Sequence, residues 1–506
     1  MTDPIEREVE LQYSTGRKEH WLPSGLEGLS VVLPATVYPP REDTKLLDEC
    51  LASLGTGKGA KLLELGTGSG VIAISAALRG WQVTCCDINP LAVAAARGNA
   101  KTAGVDITVI EGGLEFGSAG GDVEIGGAGN GPVASLGLGI DGPFDVIVWN
   151  LPYLDPPKKG EARLGPLEDA GLVDLAGESG SGAGKSGLGA GLLSALEENP
   201  NLLANDGMVL LLHTNNERGN LLQTHWTSRG WATRHIADQR LGGDERLTCF
   251  AAWLPFKGRE IEYRESVDST NRRLLDEGGA HGRCLVASEQ TAGRGQRERK
   301  WLTNQGDFAG SWLISDLGEP GALQLHAAVA VADAVASMLN HPLPSAHWTN
   351  AAKLISSGLE VRWPNDLWCD GGKLAGVLVE GRQQGEEQRV VLGIGVNCPA
   401  GVNGDFPTSS LEQLVGEKFS RAGFERALDA SVASHFEVKE RLGFPCKESR
   451  QRHYWALLSG HLGVGTQLVV EGRATTPFSL SEQAGLNSID NGVVIENNNS
   501  YNRSWK

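Results

Sequence analysis

A segment in the second half of the chain combines glycines with a concentration of positive charge. The segment TAGRGQRERKW, residues 291–301, contains Gly-Arg-Gly and carries Arg294, Arg297, Arg299 and Lys300. Glycine lets a loop fold closely over a ligand, and guanidinium and ammonium groups pair with phosphate and carboxylate oxygens. A charged run alone is usually a solvated turn, so the prediction of an anion-binding loop depends on the motifs around it.

Four further motifs flank this loop in the sequence. Upstream, VDSTN (267–271) places hydroxyl and amide groups at a predicted helix start, where they suit a carboxylate or a planar ureido ring. Downstream follow VRWPNDLW (361–368), KLAGVLVE (373–380) and GIGVN (393–397). The ordered set favours a binding site over a solvated turn.

A different pattern marks the first half of the chain. The motif ELGTGSG (64–70) closes a predicted strand and opens a predicted helix, and its glycines allow a tight turn and close approach to a nucleotide-like ligand. Asp87 ends the next predicted strand, where a carboxylate can accept hydrogen bonds from both ribose hydroxyls. The motif and the acid together predict a nucleotide-type cofactor site, and an ordinary tight turn is the alternative.

A third candidate is the segment IVWNLPYLDPP, residues 147–157. A predicted strand ends there in Asn150 and Tyr153, which bracket Leu151 and Pro152. Such an arrangement is either a clamp for an amino group or an ordinary exit from a strand into a loop.

The elements around these motifs predict more than one domain, as does the length of 506 residues. The first half alternates strands and helices, which predicts an α/β domain with a parallel, doubly wound sheet over residues 1–258. We expect flexible glycine-rich insertions at 117–142 and 177–191. Residues 259–452 predict a mixed α+β domain, and residues 453–506 a small β-barrel.

Composition limits the possible partners and location. A net charge of −17 opposes adhesion to nucleic acid phosphates, so we expect no nucleic acid partner. No apolar run reaches the length of a membrane span. The eight cysteines show no CxxC pair and no zinc-binding spacing, which predicts free thiols, a cytoplasmic location and no metal site of protein ligands.

Residues 262–506 resemble the biotin protein ligases, on the five ordered motifs of the second half. The resemblance implies that the chain couples biotin to ATP, with Mg²⁺ on the phosphates, as biotinyl-5′-AMP. Biotin is then passed to a lysine of a carboxylase carrier domain. A carboxylate that attacks phosphorus meets charge repulsion, which Lys373 and Arg294 would offset as catalytic residues.

The ligase resemblance also implies which residues bind each substrate. The expected biotin contacts are Ser269, Thr270, Asn271, Gln290, Arg294, Gly295, Gln296, Lys373 and Gly376. The expected ATP contacts are Arg297, Arg299, Lys300, Trp301, Asn365, Asp366, Lys373 and Asn397. Gln296 stands at a commonly basic position and Glu298 at a commonly glycine one. The ligases that also repress transcription carry a helix-turn-helix, and no segment here resembles one. The ligase resemblance also makes the predicted terminal β-barrel SH3-like.

Most of residues 30–255 resemble the HemK/PrmC-type class I methyltransferases, which use S-adenosylmethionine. The resemblance is carried by VYPPREDTKLL (37–47), which caps the cofactor pocket in that family, with ELGTGSG, DINP and the NLPY segment. It implies a Rossmann-like domain. The expected S-adenosylmethionine contacts are Glu64, Gly66, Gly68, Gly70, Asp87 and Asn150. The methyl acceptor is expected at Asn150, Leu151, Pro152 and Tyr153, with Asn150 and Tyr153 as catalytic residues.

In the implied mechanism, Asn150 and the Leu151 carbonyl accept the two N–H bonds of a planar amide and Tyr153 stacks on it, because methyl transfer depends on alignment. Leu151 replaces a proline of the family motif, and Gly113 stands near the position of an adenine-contacting acid. The expected acceptor is a glutamine of a translation release factor. A non-catalytic docking or regulatory domain and an adenine-N6 nucleic acid methyltransferase are the alternatives.

Overall fold

The computed structural model describes most of the chain. The described residues are 4–116, 134–136, 140–154, 172–174, 187–296, 300–314, 320–384, 387–399, 407–443, 453–458, 462, 468–470, 473–481, 484–488, 494–495 and 501–503. They form two compact units. The first comprises Met1–Leu222, Arg234–Trp253 and Lys439–Leu442, and the second Gln223–Thr233, Leu254–Val438 and Gly443–Lys506. The division into three domains stays a prediction.

A seven-stranded sheet forms the centre of the first unit, in the order β10-β11-β9-β8-β3-β4-β5. The described strands of this unit are β1 Arg17–Trp21, β2 Leu29–Leu33, β3 Lys61–Leu65, β4 Gln82–Asp87, β5 Thr108–Glu111, β6 Leu114–Phe116, β7 Ala134–Leu136, β8 Phe144–Asn150, β9 Leu203–Thr214, β10 Ala232–Gly242 and β11 Glu245–Trp253. The chain runs outward from β3 to β5 and then returns to β8 beside β3. A ligand crevice is expected at this reversal, outside the carboxyl ends of the strands.

Helices connect these strands, and local sequence explains their ends. They are α1 Pro4–Gln12, α2 Glu42–Ser53, α3 Val71–Leu78, α4 Pro90–Ala103, α5 Gly187–Glu198 and α6 Glu217–Ser228. The α4 helix begins where the Asn89 side chain accepts a hydrogen bond from the Leu91 amide, and it ends at Gly104 in the left-handed conformation. Helix α3 is almost wholly apolar and buried, as expected of a helix covered on several sides.

Two expectations for this unit were wrong in part. The sheet is not wholly parallel, because β11 runs antiparallel to β9. The glycine-rich insertions also contain regular structure, since β7 pairs with β6 and α5 begins at Gly187. Leu192, Leu193 and Leu196 are buried, so packing overrides the poor helix propensity of the neighbouring glycines. The rest of both insertions lies outside the described residues.

The second unit is a mixed α+β structure around another seven-stranded sheet, in the order β12-β13-β14-β18-β17-β16-β15. Strands β12 and β13 are parallel, and the other pairs are antiparallel. The strands are β12 Ile261–Val267, β13 Cys284–Gln290, β14 Phe308–Ile314, β15 Leu359–Arg362, β16 Asp366–Cys369, β17 Gly372–Gln384 and β18 Glu387–Val396. The helices are α7 Thr270–Glu277, α8 Pro320–Met338, α9 Ala351–Ser356, α10 Leu411–Val415 and α11 Arg421–Phe436.

Local sequence explains how two segments of this unit divide and end. The segment LEVRWPNDLW is two strands, β15 and β16, because its proline interrupts the ladder. Helix α11 begins at Arg421, where Ser420 caps it, and ends at Phe436. In the last fifty residues the described strands form two three-stranded antiparallel sheets and do not close into a barrel. They are β19 Leu468–Val470, β20 Arg473–Thr475, β21 Pro477–Leu480, β22 Leu486–Ser488, β23 Val494–Ile495 and β24 Tyr501–Arg503.

Among the described helices, none has both the length and the apolar composition that a membrane span requires.

Candidate functional site

A cavity of about 480 Å³ opens over the sheet of the second unit. This volume lies within the range of roughly 300–1,000 Å³ that small-molecule sites occupy. It gathers the predicted residues Ser269, Thr270, Asn271, Gln290, Arg294, Gly295, Gln296, Lys300, Trp301, Asn365, Asp366, Lys373, Gly376 and Asn397. The structure thus brings together the predicted biotin and ATP contacts, except Arg297 and Arg299, which lie outside the described residues, as does Glu298.

The start of helix α7 and the end of strand β13 build one wall of this cavity. Ser269 caps α7 by accepting a hydrogen bond from the Arg272 amide. The Thr270 amide donates to Gln290 Oε1 at 3.0 Å, and the Thr270 hydroxyl lies 3.1 Å from the same oxygen. The helix cap and the strand end therefore fix each other.

Two residues for which the sequence predicted no role hold Asn271 in this wall: Ser311, and Glu380 at the end of the KLAGVLVE motif. The buried Ser311 hydroxyl on β14 lies 2.6 Å from Asn271 Oδ1 and 2.7 Å from Thr270 Oγ1. Asn271 Nδ2 donates to Glu380 Oε2 at 2.8 Å. Both the Nδ2 and the Oδ1 of Asn271 are therefore hydrogen-bonded to the protein, which fixes the orientation of this side chain in the wall.

Lys373 also lines the cavity, at the start of β17. Its Nζ is 2.8 Å from Asp366 Oδ1 and 5.4 Å from the centre of the Trp301 ring. The Lys373 backbone is also held, because its carbonyl accepts a hydrogen bond from Asn397 Nδ2 at 2.8 Å. Asn365 plays a similar part, since its Nδ2 donates to the Val377 carbonyl at 2.6 Å. Both asparagines thus position the strand that carries the lysine.

Glycines on β17 and β18 form the floor. Gly376 and Gly395 are cross-strand partners. A Cβ atom would lie 2.9 Å from Trp301 Cζ3 if built on Gly376 and 2.3 Å from Trp301 Cε2 if built on Gly395. On Gly393 it would lie 2.2 Å from Asn271 Oδ1. The glycines of KLAGVLVE and GIGVN therefore let two side chains lie directly on the sheet backbone.

The glycine- and arginine-rich loop closes one side of the cavity. Arg294 and Lys300 form an isolated antiparallel bridge, and the Trp301 amide donates to the Gly293 carbonyl at 2.9 Å. Gln296 Nε2 donates to Gln324 on α8. Arg294 Nη1 lies 3.7 Å from Glu380 Oε1. The cations Arg294, Lys300 and Lys373 thus lie around one space, as a phosphate and a carboxylate would require.

A smaller cavity of about 150 Å³ lies in the first unit, at the carboxyl ends of β3, β4 and β8. Its lining includes Gly66, Gly68, Asp87, Asn150 and Pro152 of the predicted set, with Thr36, Val37 and Tyr38 of the leading segment and Gly112 and Gly113 after β5. The predicted residues among them lie at the ends of β3 and β4 on one side of the chain reversal and at the end of β8 on the other. Glu64 and Gly70 do not line this cavity.

Asp87 is anchored by backbone amides and keeps carboxylate lone pairs for a ligand. Its Oδ2 accepts from the Gly68 amide at 2.8 Å, and its Oδ1 from the Asn89 amide at 2.9 Å. Burial raises the pKa of this carboxyl above its usual value. The acid is therefore held at the glycine turn, as its predicted role at a ribose requires.

Glu64 and Gly70 support the turn from behind. Glu64 is buried and accepts a hydrogen bond from the Thr67 hydroxyl at 2.7 Å, and burial raises the pKa of Glu64 to about 8. A Cβ atom on Gly70 would lie 2.9 Å from the Ala96 Cα, so this glycine allows α3 and α4 to approach closely. Their contacts are structural and hold the glycine loop in place.

Asn150 lines this cavity and carries a buried acceptor without a partner. Its Nδ2 donates to Asp43 Oδ2 at 3.0 Å, while its Oδ1 is buried and has no hydrogen-bond partner. Asp43 is itself fixed by the Thr44 amide at 2.6 Å. A carboxylate only accepts hydrogen bonds, so Asp43 sets the orientation of the Asn150 amide. Asp43 lies in the quoted leader VYPPREDTKLL, but the sequence did not indicate this role.

The rest of the predicted acceptor clamp lies beside a second small cavity. Leu151, Pro152 and Tyr153 line this space of about 20 Å³, and Pro152 lines the larger cavity as well. The Tyr153 hydroxyl lies 3.3 Å from the Tyr38 hydroxyl, with the two rings edge to face. Tyr153 thus contacts the leading segment that borders the 150 Å³ cavity.

Comparisons with known families match each half of the chain. The model of the biotin/lipoate A/B protein ligase family matches residues 263–397. The model of the ribosomal protein L11 methyltransferase family matches residues 44–116.

In the described residues, no group of three or more His, Cys, Asp or Glu side chains could hold a metal ion.

Curated relatives fall into the same two classes. The bifunctional ligase/repressor BirA of Bacillus spizizenii is 31% identical over 265 residues, which cover 47% of this chain and 69% of that protein. A biotin–[acetyl-CoA-carboxylase] ligase of Paracoccus denitrificans is 37% identical over 134 residues, 26% of this chain and 51% of that protein. A release factor glutamine methyltransferase of Deinococcus radiodurans is 33% identical over 184 residues, 35% and 56% respectively. The chain thus spans about half of this methyltransferase. The resemblance of the two halves to a ligase and a methyltransferase is confirmed.

Proposed function

Because the C-terminal half of the chain belongs to the biotin protein ligase family, we propose that its 480 Å³ cavity binds biotin and magnesium-bound ATP. In this cavity the protein forms biotinyl-5′-AMP, and it then passes biotin to a lysine of a carboxylase carrier domain. The observation that carries this proposal is the convergence of Arg294, Lys300 and Lys373 on one space that Ser269 and Gln290 also line.

The chemistry balances as two substitutions. A biotin carboxylate oxygen attacks the α-phosphorus of ATP, and the bond from that phosphorus to the oxygen bridging to the β-phosphate breaks, releasing pyrophosphate. The neutral amine of the carrier lysine then attacks the acyl carbon, the bond from that carbon to the AMP oxygen breaks, AMP leaves with the electron pair, and the amine nitrogen releases one proton. Both reactants of the first step are anions, so the ammonium of Lys373 beside Asp366 lowers the barrier by offsetting charge. Magnesium arrives with the nucleotide as part of the substrate.

The test uses the full chain with biotin, magnesium, ATP and a carboxylase carrier domain. Mass spectrometry is expected to show the addition of one biotin to one carrier lysine. A carrier in which that lysine is replaced by arginine is the control and is expected to stay unmodified. A carrier that remains unmodified, although biotinyl-5′-AMP forms, would reject the proposed acceptor.

For the N-terminal half, we propose an S-adenosylmethionine-dependent transfer of a methyl group to a side-chain amide nitrogen. The supporting observation is the buried, unpartnered Oδ1 of Asn150, which can accept an N–H bond at the carboxyl ends of the strands. The amide nitrogen attacks the methyl carbon, the sulfur–carbon bond breaks, and the nitrogen releases a proton. A release factor glutamine is the proposed acceptor, in line with the name of the Deinococcus radiodurans relative.

One observation favours a non-catalytic docking or regulatory domain instead. The cavity of about 150 Å³ is below the usual range for small-molecule sites of roughly 300–1,000 Å³. Titration calorimetry of the full chain with S-adenosylmethionine separates the two. Micromolar binding that Asp87→Ala loses and the exposed control Asp106→Ala keeps would support a cofactor site. No binding by the wild-type chain would favour the docking domain.

The acceptor needs its own assay. A peptide containing Gly-Gly-Gln is expected to gain one methyl group on the glutamine in the presence of S-adenosylmethionine. Methylation of adenine in single-stranded DNA or RNA, with the peptide left unmodified, would instead identify a nucleic acid methyltransferase.

Two further parts of the proposal concern architecture and location. The two short sheets near the C-terminus would belong to a small SH3-like barrel of the ligase half. The seven described cysteines are free thiols, which fits a reducing compartment such as the cytoplasm.

A further inference from the structure

A continuous series of polar contacts crosses the wall of the ligase cavity and ends at the covering loop. In order, it joins Gln290, Thr270, Ser311, Asn271, Glu380 and Arg294. Four of these six residues line the cavity, and the other two, Ser311 and Glu380, contact residues that line it. Glu380 is the member that contacts both the wall and the loop.

The orientation of the Asn271 amide follows from its carboxylate partner, Glu380. A carboxylate only accepts, so Asn271 turns its Nδ2 to Glu380 and its Oδ1 to Ser311. The single Ser311 proton then goes to Asn271 Oδ1. Thr270 Oγ1 lies 2.7 Å from Ser311 Oγ and 3.1 Å from Gln290 Oε1, so its single proton can serve either neighbour. Glu380 therefore sets the orientation of the Asn271 amide and the direction of the hydrogen bond between Ser311 and Asn271.

The second oxygen of Glu380 faces the loop. Arg294 Nη1 lies 3.7 Å from Glu380 Oε1, and the Arg294 side chain is half exposed whereas that of Glu380 is about one-quarter exposed. This ion pair is a charged contact that joins the Asn271 wall to the loop. A loop that covers a bound adenylate is held closed by contacts of this kind, which oppose its opening.

We propose that Glu380 is a positioning residue that fixes Asn271 through one oxygen and holds the Arg294 loop over the bound acyl-adenylate through the other. This inference rests on the proposed ligase function. It assigns Glu380 no contact with the reacting atoms. Its two roles separate chemically, because glutamine keeps an oxygen that accepts from Asn271 and loses the charge that attracts Arg294.

The test compares Glu380→Gln, Glu380→Ala, Arg294→Gln and the double variant E380Q/R294Q in the full chain. Biotin affinity is measured by calorimetry, and release of biotinyl-5′-AMP by chase with excess unlabelled adenylate. We expect Glu380→Gln to leave the biotin Kd within about twofold and to speed adenylate release about two- to fivefold, the range for a partly exposed ion pair. Glu380→Ala is expected to weaken biotin binding about tenfold, since Asn271 loses its charged partner.

The double variant separates a link to Arg294 from a general loosening of the wall. With Arg294 already replaced, Glu380→Gln is expected to change adenylate release no further. The control Glu360→Gln, which loses an ion pair to Arg362 away from the cavity, is expected to match the wild type. Unchanged release in Glu380→Gln, or an equal change with and without Arg294, would overturn the inference. A wild-type chain that forms no biotinyl-5′-AMP would instead refute the proposed ligase function on which it rests.

Discussion

The glycine floor of the ligase cavity permits a sharp test by adding one methyl group. In Gly395→Ala the new Cβ would lie 2.3 Å from Trp301 Cε2, whereas carbon atoms in contact are ordinarily about 3.5–4.0 Å apart. The ring must therefore move by more than about 1 Å. The backbone has little freedom to yield, because β18 is paired with Ala309 of β14 and Gly376 of β17 at this residue.

The magnitude follows from the cost of overpacking. Such insertions cost about 1–3 kcal/mol, which corresponds to about 5- to 140-fold in an equilibrium or rate at 1.4 kcal/mol per factor of ten. Trp301 borders Lys373, so we expect the loss in kcat/KM for ATP. The matched control is Gly381→Ala on β17, where the nearest atom, the Arg389 carbonyl oxygen, would lie 3.7 Å from the new Cβ. That variant is expected to stay within about twofold of the wild type.

The assay is pyrophosphate release at saturating biotin with ATP varied, together with the thermal unfolding of each variant to show that it folds. A folded Gly395→Ala variant with wild-type kcat/KM would refute the reasoning. So would an equal loss in Gly381→Ala, because the effect would then not depend on the contact with Trp301.

Two further predictions concern the N-terminal half. In Asp43→Asn, the new amide can donate as well as accept, so Asn150 is no longer held in one orientation. We expect calorimetry to give an unchanged Kd for S-adenosylmethionine. The methylation rate is expected to fall about 10- to 100-fold, because a charge-assisted hydrogen bond worth about 1.5–3 kcal/mol is lost. A variant with the wild-type rate would exclude this role. For Glu64, a folded pKa of about 8 against 4.5 means that the folded state keeps a proton which the unfolded state releases. Stability is therefore lost as the pH rises through this window, by about 1.4 kcal/mol per unit. The test is hydrogen exchange of the β3 amides in the wild type and in Glu64→Gln at each pH. Between pH 5 and pH 8, protection is expected to fall more in the wild type than in the variant. An equal fall in both proteins would contradict the raised pKa.

Local sequence patterns predicted the positions of the main ligand-facing groups. The ELGTGSG turn and Asp87 were placed at adjacent strand ends, and in a parallel sheet such ends share one edge. The five ligase motifs likewise supplied the predicted cavity residues that the structure describes. Spacing within a motif was informative because strand ends and helix starts fix where a side chain lies.

The residues that orient these groups could not be predicted in the same way. Asp43 and Asn150 are 107 positions apart, and Asn271 and Glu380 are 109 positions apart. No local period reports such contacts, which depend on how distant strands and helices pack. The antiparallel direction of β11 is similar, since a buried apolar strand reads alike in either direction.

The most direct test of the account is the formation of biotinyl-5′-AMP by the full chain from biotin and magnesium-bound ATP, in the wild type, in Lys373→Ala and in the exposed-lysine control Lys353→Ala. We predict adenylate formation by the wild type and the control, and its loss in Lys373→Ala, because that variant removes the cation that faces both anionic reactants. Binding of S-adenosylmethionine should be the same in all three chains. An undiminished rate in Lys373→Ala, or no adenylate from the wild type, would contradict the account.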